Sequence, residues 1–213
     1  MEQLPNYNLF MMCNKLNDSA FTKLPNNFKI RTLLPTELEI WKSLPFDDEI
    51  SAKEYNSYMT NYFNNVYKPY EKEFYKRCFV VVDNSNKIVA SAFIWKSYNQ
   101  QLTTLHWLKT CKNYEGLGIG RALLTHILKT VKPCEFPIFL HTQPESFRAI
   151  KLYSDFGFKL LKNNKFGFRK NHLKQSLPYL KKVIPYNYFK NLKTTRAPKK
   201  YSNIIKTSTI NQF

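Results

Sequence analysis

Three of the five glycines of this chain lie within one short stretch, at Gly116, Gly118 and Gly120. The residues before this stretch, LTTLHWLKT at 102–110, alternate as in a strand, and those after it, GRALLTHILKTV, place apolar side chains on one helix face. Glycines at such a junction let backbone N–H groups converge on an anion, and the positive end of the helix dipole points at the same place. The stretch therefore predicts a phosphate-binding loop, with a tight strand-to-helix connection as the alternative.

Two common phosphate-loop patterns do not account for this loop. The nucleotide-triphosphate loop ends in Gly-Lys-Ser/Thr, whereas Gly120 is followed by Arg121 and Ala122. The dinucleotide fingerprint GxGxxG follows its strand directly, whereas this loop reads GxGxG and is separated from Thr110 by CKNYE. The loop must therefore be interpreted together with the residues around it.

The rest of the chain alternates between predicted strands and helices. The patterns predict strands at 28–34, 78–83, 88–96, 102–110 and 136–142, and a hairpin at 159–168. They predict helices that start at Pro35, at residue 50 and at Gly120, one that ends at Gly157, and one in SLPYLKKVI. A chain of 213 residues with this alternation is expected to form one α/β (α+β) domain.

Two sequence blocks carry a resemblance to a known family. The blocks YEGLGIGRALL at 114–124 and AIKLYSDFGFKLL at 149–161 are similar to the acyl-CoA loop and the last helix and strand of the GNAT superfamily of N-acetyltransferases. The resemblance implies a mixed, mostly antiparallel central sheet flanked by helices. We expect a domain at 1–170, with its core at 28–170, followed by a basic C-terminal extension at 171–213 that packs on the domain or trails from it. Glu115 and Ser146 depart from the family pattern, which usually has Arg or Gln at the first position and often Asn at the second.

The same resemblance implies an enzyme that transfers an acetyl group from acetyl-CoA to a primary amine by direct attack on the thioester. The pantetheine arm would pair with the backbone of Leu108, Lys109 and Thr110, and Ser146 would supply a hydrogen bond. The pyrophosphate would be bound by the loop residues Gly116, Leu117, Gly118, Ile119, Gly120 and Arg121. Tyr153 would protonate the leaving thiolate or donate a hydrogen bond to it. From helical spacing alone, Tyr153 is a core aromatic residue.

The reaction needs a base, because an alkyl ammonium with a pKa near ~10 must lose a proton before it can attack. His141 and His106 lie on two neighbouring predicted strands and are the candidate bases, since an unperturbed imidazole titrates near ~6.5. For either histidine taken singly, the interpretation that we favour is a structural histidine that is hydrogen-bonded within a strand. The four histidines are scattered along the chain, and no metal site is predicted.

The segment 55–75 combines six of the 14 tyrosines with nearby acidic residues at 47–49, 71 and 73. An aromatic and mildly acidic wall of this kind would receive a small-molecule or peptide amine through cation–π and carboxylate contacts. The other interpretation is ordinary helix packing, and the identity of the acceptor is left open.

The positive charge is concentrated near the end of the sequence. The formal net charge is +18, and residues 162–213 contain 13 basic and no acidic side chains. Such a segment suits a polyanion, so an alternative function is a nucleic-acid- or ribosome-associated protein that uses this fold as a scaffold. A solvated, lysine-rich extension that keeps the protein soluble is the simpler interpretation, and it is the one we favour.

The cellular setting follows from features that the sequence lacks. No apolar run approaches the ~20 residues of a membrane helix, and the first residues do not resemble a secretory signal. The four cysteines are widely spaced without a CxxC pair, which fits reduced thiols. The sequence therefore predicts a cytoplasmic protein without a membrane partner, and it leaves the oligomeric state open.

Overall fold

A mixed sheet runs through the computed structural model, which describes residues 6–208, 210 and 212. The strands are β1 (Leu9–Cys13), β2 (Phe28–Thr32), β3 (Phe79–Asp83), β4 (Ile88–Lys96), β5 (Leu102–Thr110), β6 (Ile138–Thr142), β7 (Lys159–Leu161), β8 (Lys165–Phe166), β9 (Arg169–Lys170) and β10 (Thr194–Thr195). Eight of them form the sheet in the order β10-β7-β1-β6-β5-β4-β3-β2, and β8 and β9 pair separately. The β5–β6 and β7–β10 pairs are parallel, and the remaining pairs are antiparallel.

Short helices connect and cover the strands. They are α1 (Leu38–Ser43), α2 (Glu49–Glu54), α3 (Asn56–Val66), α4 (Glu71–Arg77), the single turn α5 (Ser97–Gln100), α6 (Ile119–Leu128), α7 (Phe147–Asp155), α8 (Leu173–Val183), α9 (Tyr186–Phe189) and α10 (Lys199–Lys206). In the part of the chain that the structure describes, none of the helices has the length and apolar character needed to cross a membrane.

The two faces of the sheet are covered by different helices. In β1, Leu9 and Met11 pack with α6, α7 and α8, and this side is called the first face. Phe10 and Met12 point to the opposite side, the second face, because successive strand residues alternate. One end of the second face is covered by α1, α3 and α4, and the other end by β8 and α10. Each face therefore has its own apolar core.

The structure confirms the predicted class, an α/β fold with a mostly antiparallel sheet between helices. Strand β5 occupies the predicted residues 102–110, and the helix predicted at 120–131 is α6. The helix predicted at 50–66 is broken into α2 and α3 at Tyr55, which joins the two helices.

Strand β1 was not predicted, and it corrects the expected core boundary at residue 28. All five of its residues are buried, and it pairs with β6 on one side and β7 on the other. A five-residue apolar run carries no periodicity that would distinguish it from a loop, so its position depends on contacts with strands more than 120 residues later in the chain.

The hairpin predicted at 159–168 is wrong. Strand β7 pairs with β1 and β10, whereas β8 pairs with β9 in a small separate sheet. The turn between β8 and β9 contains Gly167, whose φ of +62° favours glycine. A Cβ at this position would lie 2.2 Å from the Ile205 side chain of α10. The C-terminal helix therefore packs directly on the turn that precedes Arg169.

The basic C-terminal segment is part of the fold. Leu173 and Leu180 of α8 are buried in the first-face core, and Ile205 of α10 is buried on the second face. Twelve of the 13 basic residues of 162–213 are exposed, and within the described residues none of the 13 forms an ion pair with a carboxylate. The core therefore extends past the expected boundary at residue 170, while the positive charge faces solvent.

We expect Leu180→Ala to lower the free energy of unfolding by about 2–5 kcal/mol, because it leaves a cavity at a fully buried position. Urea denaturation followed by circular dichroism measures the change. The control Tyr186→Ala alters a side chain that is 70% exposed, and we expect a change within about 0.5 kcal/mol. Equal stability of the Leu180→Ala protein and the unsubstituted protein would contradict a structural role for α8.

Candidate active site

The sheet opens between its two central parallel strands. Strands β5 and β6 pair only at Thr103–Ile138 and Thr104–Phe139, and beyond this point they diverge. The edge of β5 that faces away from β4 is therefore free of strand partners from residue 105 to residue 110. Unpaired backbone N–H and C=O groups at such an edge can pair with an extended ligand.

A β-bulge at Trp107 changes the direction of side chains in β5. Register with β4 shifts by one residue here, and Trp107 has a φ of +50°. His106 and Trp107 consequently both contact Tyr67 on the second face. Leu108 then packs on the first-face core, and Thr110 approaches Gly120 of α6. The bulge therefore presents the backbone of residues 108–110 beside α6.

A cavity of about 440 Å³ lies in the opening between β5 and β6. Residues from both faces of the sheet contribute to its wall, with Tyr58 and Tyr62 from α3 on the second face, and Ala149 and Tyr153 from α7 on the first. The other lining residues are Asn6, Asn8, Leu105, His106, Trp107, Leu108, His141, Thr142, Gln143, Ser146 and Arg169. The cavity therefore connects the two faces through the gap in the sheet.

The glycine loop begins the helix beside this cavity. Gly118 is the N-terminal cap of α6, and both Gly116 and Gly118 have a φ of +81°. Within the described residues, the backbone N–H groups of 116–121 donate no hydrogen bond to protein, and the first helical bond is donated by Ala122 to Gly118. A run of unpartnered N–H groups at a helix N-terminus is an anion site.

The space around the loop fits a bound phosphate. A Cβ on Gly116 or Gly118 would meet no atom within 4 Å, so the surface above the loop is open. A Cβ on Gly120 would lie 3.2 Å from Thr110 Oγ1, so this glycine allows α6 to approach β5 closely. The loop is therefore open above Gly116 and Gly118 and close to β5 at Gly120, and its residues do not themselves line the cavity.

Three charged side chains near the site are engaged in ion pairs. Arg121 pairs with Asp155, Lys109 pairs with Asp47, and Glu115 pairs with Arg148 at 2.6 Å. Arg121 and Lys109 can therefore bind a ligand through their backbone groups, as the resemblance implies for Lys109.

Two of the predicted residues lie on α7 at the first-face side of the cavity. Ser146 is the N-terminal cap of α7, and its side chain forms no capping bond. Tyr153 is 6% exposed, and its hydroxyl has no hydrogen-bond partner among the described residues. Burial raises the pKa of the Tyr153 hydroxyl far above its usual value, so it remains a proton donor at neutral pH.

His141 lies on the wall of the cavity, and both of its ring nitrogens are engaged. Arg169 donates to Nδ1 at 3.2 Å, which requires the proton to be on Nε2, and Nε2 donates to Asn8 Oδ1 at 2.9 Å. Burial, assisted by the positive charge of Arg169, lowers the pKa of His141 to about 3. With both ring nitrogens engaged, this geometry disfavours a general base at His141.

His106 is buried in a hydrogen-bond network behind the cavity wall. The Thr104 hydroxyl donates to the Trp95 carbonyl, so it accepts from His106 Nε2 at 2.8 Å. His106 Nδ1 then accepts from the Tyr67 hydroxyl at 2.5 Å, and this hydroxyl accepts from Trp107 at 2.9 Å. Burial lowers the pKa of His106 to about 3. The geometry favours the structural interpretation of His106 and disfavours its use as a general base.

The aromatic and acidic wall expected from segment 55–75 is aromatic only where it lines the cavity. Tyr58 and Tyr62 line the cavity, but no Asp or Glu does so within the described residues. Asp47 is paired with Lys109, and Glu73 is paired with Arg77. The segment therefore contributes aromatic surface to the cavity and directs its carboxylates elsewhere.

Comparison with known families agrees with this geometry. The model of the Acetyltransferase (GNAT) family matches residues 39–158, which is more than half of the chain. The chain belongs to this family. A search of curated proteins finds no match.

One solved structure shares the fold of this GNAT chain, and two others are partly similar to it. A GNAT-family acetyltransferase from Colwellia psychrerythraea is 15% identical with a TM-score of 0.52, covering 73% of this chain and 53% of that one. A Drosophila protein is 13% identical with a TM-score of 0.46, covering 73% and 48%. A GNAT-family acetyltransferase from Staphylococcus aureus Mu50 is 18% identical with a TM-score of 0.44, covering 60% and 82%. The chain thus spans about half the length of the Colwellia and Drosophila proteins.

Asn8 and Arg169 are among the residues of the GNAT cavity that the sequence analysis missed. They lie far apart in the sequence and meet at His141, where Asn8 is placed by the pairing of β1 with β6 and Arg169 lies on β9. No local pattern marks either residue, and Arg169 was counted only as part of the basic segment.

The two buried histidines predict a loss of stability in acid. In the unfolded chain, imidazoles bind protons near pH ~6.5, whereas in the folded chain His106 and His141 stay neutral down to a pH of about 3. Their contribution to folding is complete above the unfolded pKa and is lost as the pH falls toward the folded pKa. We expect the free energy of unfolding to fall between pH 7 and pH 4, and His106→Gln to make this dependence less steep.

Urea denaturation at several pH values measures the dependence, and nitrogen-15 chemical shifts of the imidazoles measure their protonation directly. A protonated imidazole at pH 6 for either residue would contradict the assignment.

Proposed function

We propose that this GNAT chain is an acetyl-CoA-dependent N-acetyltransferase that acts on a primary amine. The observation that carries the proposal is the run of unpartnered N–H groups at 116–121 next to a cavity that opens the sheet between β5 and β6. Membership in the family and the fold support acyl transfer in general.

The first-face side of the cavity would receive acetyl-CoA, which supplies the acetyl thioester. The N–H groups of 116–121 would bind the pyrophosphate together with the positive end of α6. The free edge of β5 at Leu108, Lys109 and Thr110 would pair with the pantetheine amides, since no strand occupies it. Ser146 offers a hydroxyl on the same side.

The amine would enter from the second-face side, where Tyr58, Tyr62 and Trp107 line the cavity. The described lining contains no carboxylate to neutralise an ammonium ion, and His141 and His106 hold no available proton-accepting nitrogen. A partly buried, positively charged cavity lowers the pKa of an amine. The acceptor would therefore bind as the neutral amine, and its nitrogen would give up one of its two protons to water once it has attacked the thioester.

Tyr153 would act on the leaving group. The amine nitrogen forms a bond to the acetyl carbon, the carbon–sulfur bond breaks, and the sulfur takes a proton from the Tyr153 hydroxyl. The proton released by the nitrogen passes through water and restores the phenol. The raised pKa of Tyr153 favours this restored form.

We expect Gly118→Val to raise the dissociation constant of acetyl-CoA by at least about tenfold, because a β-branched residue is strained at the positive φ of this position. Calorimetric titration with acetyl-CoA measures the change. Leu117→Ala is the matched control, since Leu117 is 51% exposed and the substitution preserves the backbone N–H. Equal affinities of Gly118→Val and the unsubstituted protein would show that this loop is not the pyrophosphate site.

We expect Tyr153→Phe to lower kcat by about 10- to 100-fold and to leave the dissociation constant of acetyl-CoA nearly unchanged. The substitution preserves the packing on Phe158 and removes a hydroxyl that has no protein partner among the described residues. Release of free thiol from acetyl-CoA gives the rate, and the exposed Tyr186→Phe serves as the control. An unchanged kcat would remove Tyr153 from the mechanism.

Binding of a nucleic acid by the basic segment stays a prediction, as does a cytoplasmic location. The exposed lysines of 162–206 are compatible with a polyanion, but they belong to elements that also complete the fold.

A further inference from the structure

Arg169 gives the cavity a positive charge that no neighbouring group balances. It is the one Lys or Arg among the described lining residues, and that lining contains no Asp or Glu. Arg169 also takes part in none of the ion pairs formed by the described residues. A partly buried guanidinium without a counter-ion is costly, so the arrangement is complementary to an anion.

The position of Arg169 is fixed by its surroundings. Its Nη1 donates to His141 Nδ1, and His141 is held in turn by Asn8. On the other side, the Gly167 turn is fixed by Ile205 and by a 3.0 Å hydrogen bond from the Gly167 N–H to Ser202 Oγ. The arginine is therefore placed in advance, and its entropy cost on binding a ligand is reduced.

The guanidinium retains most of its capacity to bind an anion. Arginine has five N–H donors, and the described residues accept one bond from this side chain, at His141. The remaining donors include a coplanar pair that matches the two oxygens of a carboxylate.

The phosphates of acetyl-CoA do not account for this site. Their proposed binding loop begins α6, which covers the first face of the sheet. Arg169 contacts His141, whose ring packs against Phe10 on the second face. The positive charge thus lies on the side from which the amine would enter.

We propose that the acceptor is an amine that carries a carboxylate, as a free amino acid does, and that Arg169 binds this carboxylate. The proposal rests on the N-acetyltransferase function proposed above. Arg169 is then a specificity-determining residue, since an acceptor without the carboxylate leaves the guanidinium unpaired. The aromatic rings of Tyr58, Tyr62 and Trp107 flank the same space and would contact the rest of the acceptor.

The test compares ligands that differ only in the carboxylate. The 20 common L-amino acids and their primary amides are offered as acceptors, and release of thiol from acetyl-CoA is measured. In parallel, the N-acetyl amino acids and their amides are titrated calorimetrically into the protein saturated with coenzyme A, so that binding is measured without catalysis. The variants are Arg169→Gln and Arg169→Lys, with Lys170→Gln as the control because it changes the same charge on an exposed neighbour.

We expect kcat/KM to be at least about 100-fold higher for an amino acid than for its amide, since a site built for a charged hydrogen bond rejects a ligand that lacks it. Arg169→Gln should abolish this preference by raising KM for the amino acid. Arg169→Lys should retain part of the preference, and Lys170→Gln should retain all of it. The affinity for acetyl-CoA should be unchanged in all three variants.

The two proposals fail in different ways. Equal use of amino acids and amides, or a preference that survives in Arg169→Gln, would overturn the carboxylate site while leaving the acetyltransferase intact. Arg169-dependent binding of N-acetyl amino acids without any thiol release would support the carboxylate site and contradict the proposed reaction. Absence of binding by every carboxylate ligand would overturn the assignment of Arg169.

Discussion

The short pairing between β5 and β6 is the constraint on which the site depends. Two parallel residue pairs hold the strands together, and beyond Thr104 the backbone of β5 has no partner on that side. The bulge at Trp107 increases the divergence and places two aromatic side chains on one face. A gap in the middle of a sheet normally costs unsatisfied hydrogen bonds, so this one is best understood as a place where a ligand supplies the missing partners.

The electrostatics of the cavity differ from those of a typical cation site. Burial keeps His106 and His141 neutral, and every nitrogen of the two rings takes part in a hydrogen bond. Asp47 and Glu73 form ion pairs with Lys109 and Arg77 and do not line the cavity. What remains is one guanidinium, several amide and hydroxyl groups, and an aromatic wall. Such a cavity disfavours a bound cation, so an amine acceptor of the proposed kind would lose its positive charge before it binds.

Local patterns predicted the parts of the site that are local in sequence. The limits of β5, the glycine loop and helix α7 follow from alternation, glycine placement and helical spacing within short windows. Strand β1 and Arg169 could not be predicted in this way, because β1 pairs with strands distant in the sequence and Arg169 acquires its role through a side-chain contact with His141. The neutral state of His141 could not be predicted from the sequence either, since it arises from desolvation and from the approach of Arg169.

Strand β1 is also the element whose detachment would let two molecules of this chain associate. It lies between β6 and β7, so its detachment would uncover two strand edges at once and release a fully apolar segment. An uncovered edge accepts any strand of matching register, and the best match is β1 of a second molecule. The centre of this sheet is therefore the place where two copies of the chain could exchange strands, a domain swap that would preserve every backbone hydrogen bond while joining the molecules.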